Sequence, residues 1–173
     1  LLSVAAGDIL KEFKFPKAAM GLLLGAPLLG AGLGGLVSGW LSDKYGRVRV
    51  MVYCLAWYSV FTVAFAFATS YEMMLALRIL VGIGLGAQWG VGNTLVAEVM
   101  PARMRIMCSA VIQTGFAFGP MLAAYSAKTI LPSYGWRPLF YVGAVGIVMA
   151  VIAKIAIPEP EAWLKRRNEA KAG

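Results

Sequence analysis

Apolar residues run through this chain in long unbroken blocks separated by short polar breaks. Residues 1–10 are mostly apolar and pass into a charged stretch holding Asp8, Lys11, Glu12, Lys14 and Lys17, broken by Pro16. Residues 18–42 then carry no charge. A charged break at 43–49 follows, then an uncharged block at 50–71 and a turn marked by Glu72. The block 73–97 is apolar except for Arg78, 106–127 is uncharged, and 138–158 holds one late charge, Lys154. A membrane helix needs roughly 20 apolar residues, so each block predicts one span, at about 18–42, 50–71, 73–97, 106–127 and 138–158. Residues 1–10 fit the last turns of one more helix, and a chain that opens on Leu1 in apolar sequence reads as a fragment. Membrane β-strands alternate over about 10 residues; these blocks are continuous and twice as long. Short connections make neighbouring helices antiparallel, so the expected fold is an all-α membrane bundle over 1–164, with 165–173 opening a polar loop.

Composition excludes the soluble alternatives. The chain of 173 residues is 60% apolar and 14% charged, with a mean hydropathy of +0.75, whereas soluble domains carry about 45–50% apolar and about 25% charged residues. The net charge of +8 would suggest nucleic acid in a soluble protein. Here the bases flank the apolar blocks, so lipid and not nucleic acid is the expected partner. One side of the predicted bundle gathers Lys44, Arg47, Arg49, Arg103, Arg105, Lys165, Arg166, Arg167 and Lys171; the other gathers Lys11, Lys14, Lys17, Lys128 and Arg137. Basic loops stay in the cytoplasm, which places 43–49, 100–105 and the C-terminus there and 128–137 outside. The chain has no His, and Cys54 and Cys108 lie singly inside apolar blocks. Without ligand spacing, no metal or cofactor is expected. The spans hold no Asp or Glu, which argues against intramembrane hydrolysis and for a protein that is not an enzyme.

Glycine adds a packing signal. Gly21, Gly25, Gly30, Gly32, Gly34, Gly35 and Gly39 fall in the first complete span, while Gly82, Gly86 and Gly90 repeat every four residues, as do Gly115 and Gly119. Small residues at this spacing let backbones approach in lipid, where no hydrophobic force drives helices together. Such faces serve either tight static packing or helices that slide and rock.

The stretch 39–49 is the most specific motif. It sets an acid at a helix end, a Gly turn, and two bases one residue apart, an arrangement able to clamp helix ends by charge-assisted hydrogen bonds. The pattern G-x-x-x-D-[KR]-x-G-R-x-[KR], carried by Gly39, Asp43, Lys44, Gly46, Arg47 and Arg49, is similar to the cytoplasmic loop between helices 2 and 3 of the major facilitator superfamily. Arg78-x-x-x-Gly82-x-Gly84 resembles that superfamily's helix-4 motif. Glu98-x-x-Pro101-x-x-x-Arg105 looks like the loop after helix 4 in its sugar and organic-acid symporters. Residues 157–163, Ile-Pro-Glu-Pro-Glu-Ala-Trp, resemble the end of helix 6 in sialic-acid and monocarboxylate proton symporters, and Tyr134-Gly135-Trp136-Arg137 fits the same branch.

The resemblance implies the N-terminal six-helix half of a twelve-helix transporter with helix 1 truncated, working with its C-terminal half in a prokaryotic inner or plasma membrane. It implies a small organic anion as substrate, a coupling proton, and an ion gradient in place of any cofactor. Glu161 and Ala162 depart from the sugar-porter ending. Gly115-x-x-x-Gly119-Pro120 partly resembles a drug:proton antiporter motif, so a drug or metabolite antiporter is the alternative, with a sugar porter behind it. The superfamily's helix-1 acid would lie upstream of Leu1.

Within that frame the candidate site residues fall into two groups. Arg78, an intramembrane charge costing about 2.5–3.5 kcal/mol on insertion scales, lies within about 20° of the same helix face as Trp89, with Asn93 one turn on. The three are expected to line one cavity wall and meet a carboxylate, with Gln88 and Gln113 as further cavity residues or helix–helix donors. Asp43, Arg47, Glu98 and Arg105, around Pro101, are expected to form an ion-pair latch at the cytoplasmic end. Lys154 reads as a snorkelling base, and Lys165-Arg166-Arg167 as a headgroup anchor.

Overall fold

The computed structural model describes residues 1–160, 163–165 and 167. Glu161, Ala162, Arg166 and 168–173, which enter the helix-6 ending and the basic tail, lie outside the described residues. Among the described residues the chain is helical throughout: α1 (Leu2–Phe13), α2 (Lys17–Tyr45), α3 (Arg47–Ala64), α4 (Tyr71–Val99), α5 (Arg105–Tyr134), α6 (Arg137–Tyr141) and α7 (Val145–Ala156). Short 3₁₀ turns at Phe65–Phe67 and Val142–Ala144 extend α3 and join α6 to α7. Five of these segments are long and apolar enough to cross a membrane: α2, α3 with its turn, α4, α5, and α6 through α7.

Local chemistry sets most helix ends. Pro16, with φ −64°, precedes α2, where its missing N–H costs nothing. Ser70 caps α4 by accepting from the Met73 N–H at 3.2 Å, with Glu72 in the first turn, where a negative charge suits the helix dipole. The second predicted span stops short of residue 71, because Ala68 is extended (ψ 130°) and Ser70 already opens α4.

The loop expected at 128–137 is mostly helix. α5 continues past Lys128 to Tyr134 because Ala127, Ile130 and Leu131 pack into the core and hold it there. Pro132 sits in the last turn, where its missing N–H forfeits one bond. Gly135, at φ 76°, ends the helix.

α2 and α4 form the tightest pair. A methyl group added at Gly82 or Gly86 would land on the carbonyl of Pro27 or Ala31, and one at Gly30 or Gly34 on the carbonyl of Ile79 or Ile83. At Gly90 it would lie 3.0 Å from the Ser38 hydroxyl. α3 packs on α4 and α7, with Gly143 and Gly146 set against Thr62 and Ser59. The main core lies at the end opposite the 43–49 loop, where Ile9, Leu23, Phe65, Met74, Leu139 and Phe140 meet. A smaller core of Val48, Val52 and Ala150 sits near the loop end.

α5 touches the bundle chiefly through its Ala127 end, and most of its length is exposed. Gly115 and Gly119 meet no atom within 4 Å. The packing expected of them is absent among the described residues, although their spacing matches that of Gly82 and Gly86: α5 simply stands clear of α2, α3 and α4 along that stretch.

Candidate functional site

Arg47 opens α3 directly after the Gly46 turn, so its guanidinium folds back under the end of α2 and across to the end of α4. The side chain is 5% exposed. Nε and Nη2 donate to Glu98 Oε2 and Oε1 at 3.1 and 2.8 Å, a bidentate pair. Nη1 donates to the Ser42 hydroxyl at 2.9 Å and lies 2.6 Å from Asp43 Oδ1. The Ser42 hydroxyl in turn donates to the Gly39 carbonyl at 2.9 Å. One buried cation therefore joins α2, α3 and α4. Such a planar fork suits a carboxylate better than a lysine would.

Glu159 completes the cluster from the far end of the sequence. Its carboxylate accepts the Val48 and Arg49 backbone N–H groups at 3.1 and 2.9 Å, capping α3 where the helix dipole favours an anion. Trp163 donates its indole N–H to the Asp43 carbonyl at 2.8 Å. Gly46 is required at this turn. Its φ is 115°, and a Cβ there would lie 2.5 Å from a Glu159 carboxylate oxygen.

Of the four predicted latch residues the structure brings three together. Arg105 instead donates its Nε to the Met100 carbonyl at 3.0 Å and is exposed. It opens α5 beyond the Pro101 turn, which spends the guanidinium on the nearest unsatisfied helix-end carbonyl. Lys44 lies over the Trp40 and Tyr45 rings, 5.0 and 5.4 Å from their centroids, and the Arg49 side chain points outward, exposed. Ser42 is absent from the sequence-predicted site, and Glu159 enters it only as part of the 157–163 stretch. A hydroxyl next to Asp43 carries no signal of its own, and Glu159 lies 111 residues from Val48; its place between Pro158 and Pro160 was the available hint, since prolines on both sides fix its backbone.

Arg78 lies at the opposite end. Its guanidinium sits 4.6 Å from the Phe65 ring centroid and 5.7 Å from that of Phe140, both rings fully buried. Nε and Nη2 are buried with no hydrogen-bond partner. The aromatic faces offset part of the cost of burying the cation, about 2 kcal/mol for a desolvated pair, but they cannot accept its N–H groups in the plane of the fork.

The single wall expected for Arg78, Trp89 and Asn93 is not what the structure builds. Eleven residues separate Arg78 from Trp89 by about 16 Å along the axis, and the long Arg78 side chain turns into the aromatic cluster. Trp89 and Asn93 are exposed, and Asn93 Nδ2 donates to the Trp89 carbonyl at 3.0 Å. Gln88 has a buried Oε1 without a partner, and Gln113 is exposed on α5. Among the described residues no group of three or more His, Cys, Asp or Glu side chains could hold a metal ion.

The family model of the Major Facilitator Superfamily matches residues 1–173. The cis,cis-muconate transport protein of Acinetobacter baylyi is 34% identical over 167 residues, covering 96% of this chain and 40% of that protein. The 4-hydroxybenzoate transporter of Pseudomonas aeruginosa is 32% identical over 164 residues, covering 94% and 37%. Among solved structures, the inward-open xylose transporter from E. coli matches with a TM-score of 0.76 and 21% identity over 87% of this chain and 40% of that one. A bacterial homologue of the human lysosomal transporter Spinster matches with a TM-score of 0.80 and 25% identity, covering 92% and 40%. The chain thus spans about two fifths of the length of the relatives it matches. A family match over every residue, five membrane spans and the 39–49 motif built around Arg47 lead to one conclusion: this chain belongs to the Major Facilitator Superfamily, a family of integral, multi-pass membrane transporters.

Proposed function

We propose that these residues form the N-terminal half of a secondary transporter that carries small organic acids into the cell by proton-coupled alternating access. The observation that carries the reading is Arg78. A guanidinium buried within a membrane span, with two N–H-bearing atoms unsatisfied and no carboxylate paired to it among the described residues, calls for an anion. Buried intramembrane charges mark substrate and ion paths, and alternating access sets that path between two rocking halves. The names of the relatives, muconate and 4-hydroxybenzoate transporters, support a carboxylate as that anion. The basic loops support a cytoplasmic location for 43–49, 100–105 and the C-terminal tail in a prokaryotic inner membrane. The Arg47–Glu98–Asp43 cluster then closes the cytoplasmic ends of α2, α3 and α4 in the outward-open state.

The test is uptake of labelled 4-hydroxybenzoate and cis,cis-muconate into proteoliposomes holding the full-length protein under an inward proton gradient. Arg78→Lys is expected to weaken uptake, because it keeps the charge and loses the fork, and Arg78→Ala to reduce it by at least tenfold. Anion uptake by Arg78→Ala at the wild-type rate would reduce Arg78 to a packing residue of the aromatic cluster. Movement of cationic drugs alone, outward against protons, would establish the antiporter instead.

A further inference from the structure

We propose that the groove between α2 and α3, floored by α4, binds one anionic phospholipid. The groove has a volume of about 570 Å³, within the range of small-molecule sites. Its walls are almost wholly apolar, with Val37, Leu41, Tyr53 and Trp57 among them, and Arg49 stands at its mouth. Trp57 lines the groove farther along α3 and is held there by its indole N–H, which donates to the Leu80 carbonyl at 2.9 Å. Eight residues along α3 separate Arg49 from Trp57, about 12 Å of rise. That is somewhat less than half of the roughly 30 Å hydrocarbon core, the depth available to one acyl chain within one leaflet.

The mouth is basic. Neither Arg49 nor Lys44 forms an ion pair among the described residues. Arg49 is exposed where it lines the groove, and Lys44 lies over Tyr45, another lining residue. Trp40, Tyr45 and Tyr53, 63%, 50% and 69% exposed, ring the same end, as amphipathic rings do at the headgroup level. Basic pockets between membrane helices are where anionic headgroups bind. The apolar slot takes the acyl chain, Arg49 and Lys44 take the phosphate, and the lipid comes from the leaflet on the 43–49 side. An occupant there lies beside the Arg47 cluster, at the same helix ends. The proposal is independent of the transported substrate.

The experiment uses the full-length protein in phosphatidylcholine nanodiscs, with Trp57 as the sole tryptophan. Dibrominated phosphatidylglycerol or dibrominated phosphatidylcholine is titrated in, and quenching of Trp57 is followed. Each base near the headgroup is expected to favour the anionic lipid about fivefold, equivalent to about 1 kcal/mol. Phosphatidylglycerol should therefore quench at a mole fraction about tenfold lower or better, and Arg49→Ala with Lys44→Ala should erase the difference. Cys54→Phe, which fills the slot, should abolish quenching at low mole fraction. Native mass spectrometry of the unsubstituted protein should show phosphatidylglycerol adducts persisting at collision energies that strip phosphatidylcholine. Equal quenching by the two lipids, together with equal adduct survival, would overturn the proposal. So would the absence of quenching by either lipid, which would mean that another helix or a second copy covers the groove.

Discussion

Arg47 holds its charge in the protein interior between two carboxylates of unequal exposure. Glu98 is 16% exposed and bidentate, and Asp43 is 65% exposed and makes a single contact. Breaking a buried pair by removing one partner costs about 3–5 kcal/mol, because the survivor keeps a desolvated charge. An exposed pair is worth about 0–1 kcal/mol. The three partners should therefore rank sharply. Arg47→Ala and Glu98→Ala are expected to lower stability in detergent by about 3 kcal/mol each, and Asp43→Asn by less than about 1 kcal/mol. Tryptophan-fluorescence melting of each variant measures this, and equal losses for Asp43→Asn and Glu98→Ala would refute the ranking. If Asp43→Asn also slows transport while leaving the melting point in place, Asp43 acts on the conformational equilibrium, which needs a bias of only a few kcal/mol to shift.

Helices show where sequence is legible and where it goes quiet. The spans could be read directly, since an uncharged block of twenty or more residues is a length signal that few other structures satisfy. Their ends could not, because a charge does not stop a helix. α5 runs through Lys128 and Pro132 and stops only at Gly135, whose positive φ ends it. Glycine spacing was half informative. Gly82 and Gly86 touch α2 backbone, whereas Gly115 and Gly119 meet no atom within 4 Å among the described residues; a period of four names a face and not its neighbour. The candidate site divides in the same way. Charge pattern reached Asp43, Arg47 and Glu98, but Phe65 and Phe140, which receive Arg78, are ordinary aromatics in apolar blocks until the fold brings them together. The α2–α4 interlock carries the prediction. Gly86→Ala pushes a methyl group into the Ala31 carbonyl, backbone that cannot yield, so it should cost at least the 1–3 kcal/mol typical of overpacking. A melting point for Gly86→Ala equal to wild type would mean that α2 and α4 are less intimate than described.

The molecule as a whole is tied at both ends. Near the 43–49 loop, Arg47 binds α2, α3 and α4 together. At the opposite end Glu12 pairs with Arg137 at 2.8 Å and accepts the Trp136 indole N–H at 2.5 Å, fastening α1 to the start of α6. Cysteine labelling tests the placement of these ends across the membrane. Ser42 is buried against Arg47, so Lys44→Cys and Ser133→Cys, both at exposed positions, are the sites to use in a background lacking Cys54 and Cys108. They should label from opposite faces of the membrane, and labelling from one face would overturn the topology. Ties at both ends, with interlocked glycines between them, favour a bundle that moves as one body over helices that slide within it. Ser38 and Gly90 allow a direct test, because a Cβ on Gly90 would lie 3.0 Å from the Ser38 hydroxyl, close enough for a Ser38→Cys, Gly90→Cys pair to approach the 3.5–4.5 Å Cβ separation of a disulfide. In the same cysteine-free background of the full-length protein, that bond locks α2 to α4 without touching either end cluster. Rigid-body motion predicts that the oxidised protein takes up substrate at the rate of the reduced one. If oxidation stops uptake and a reducing agent restores it, α2 must slide along α4 during the cycle, and the glycine face is a bearing rather than a seam.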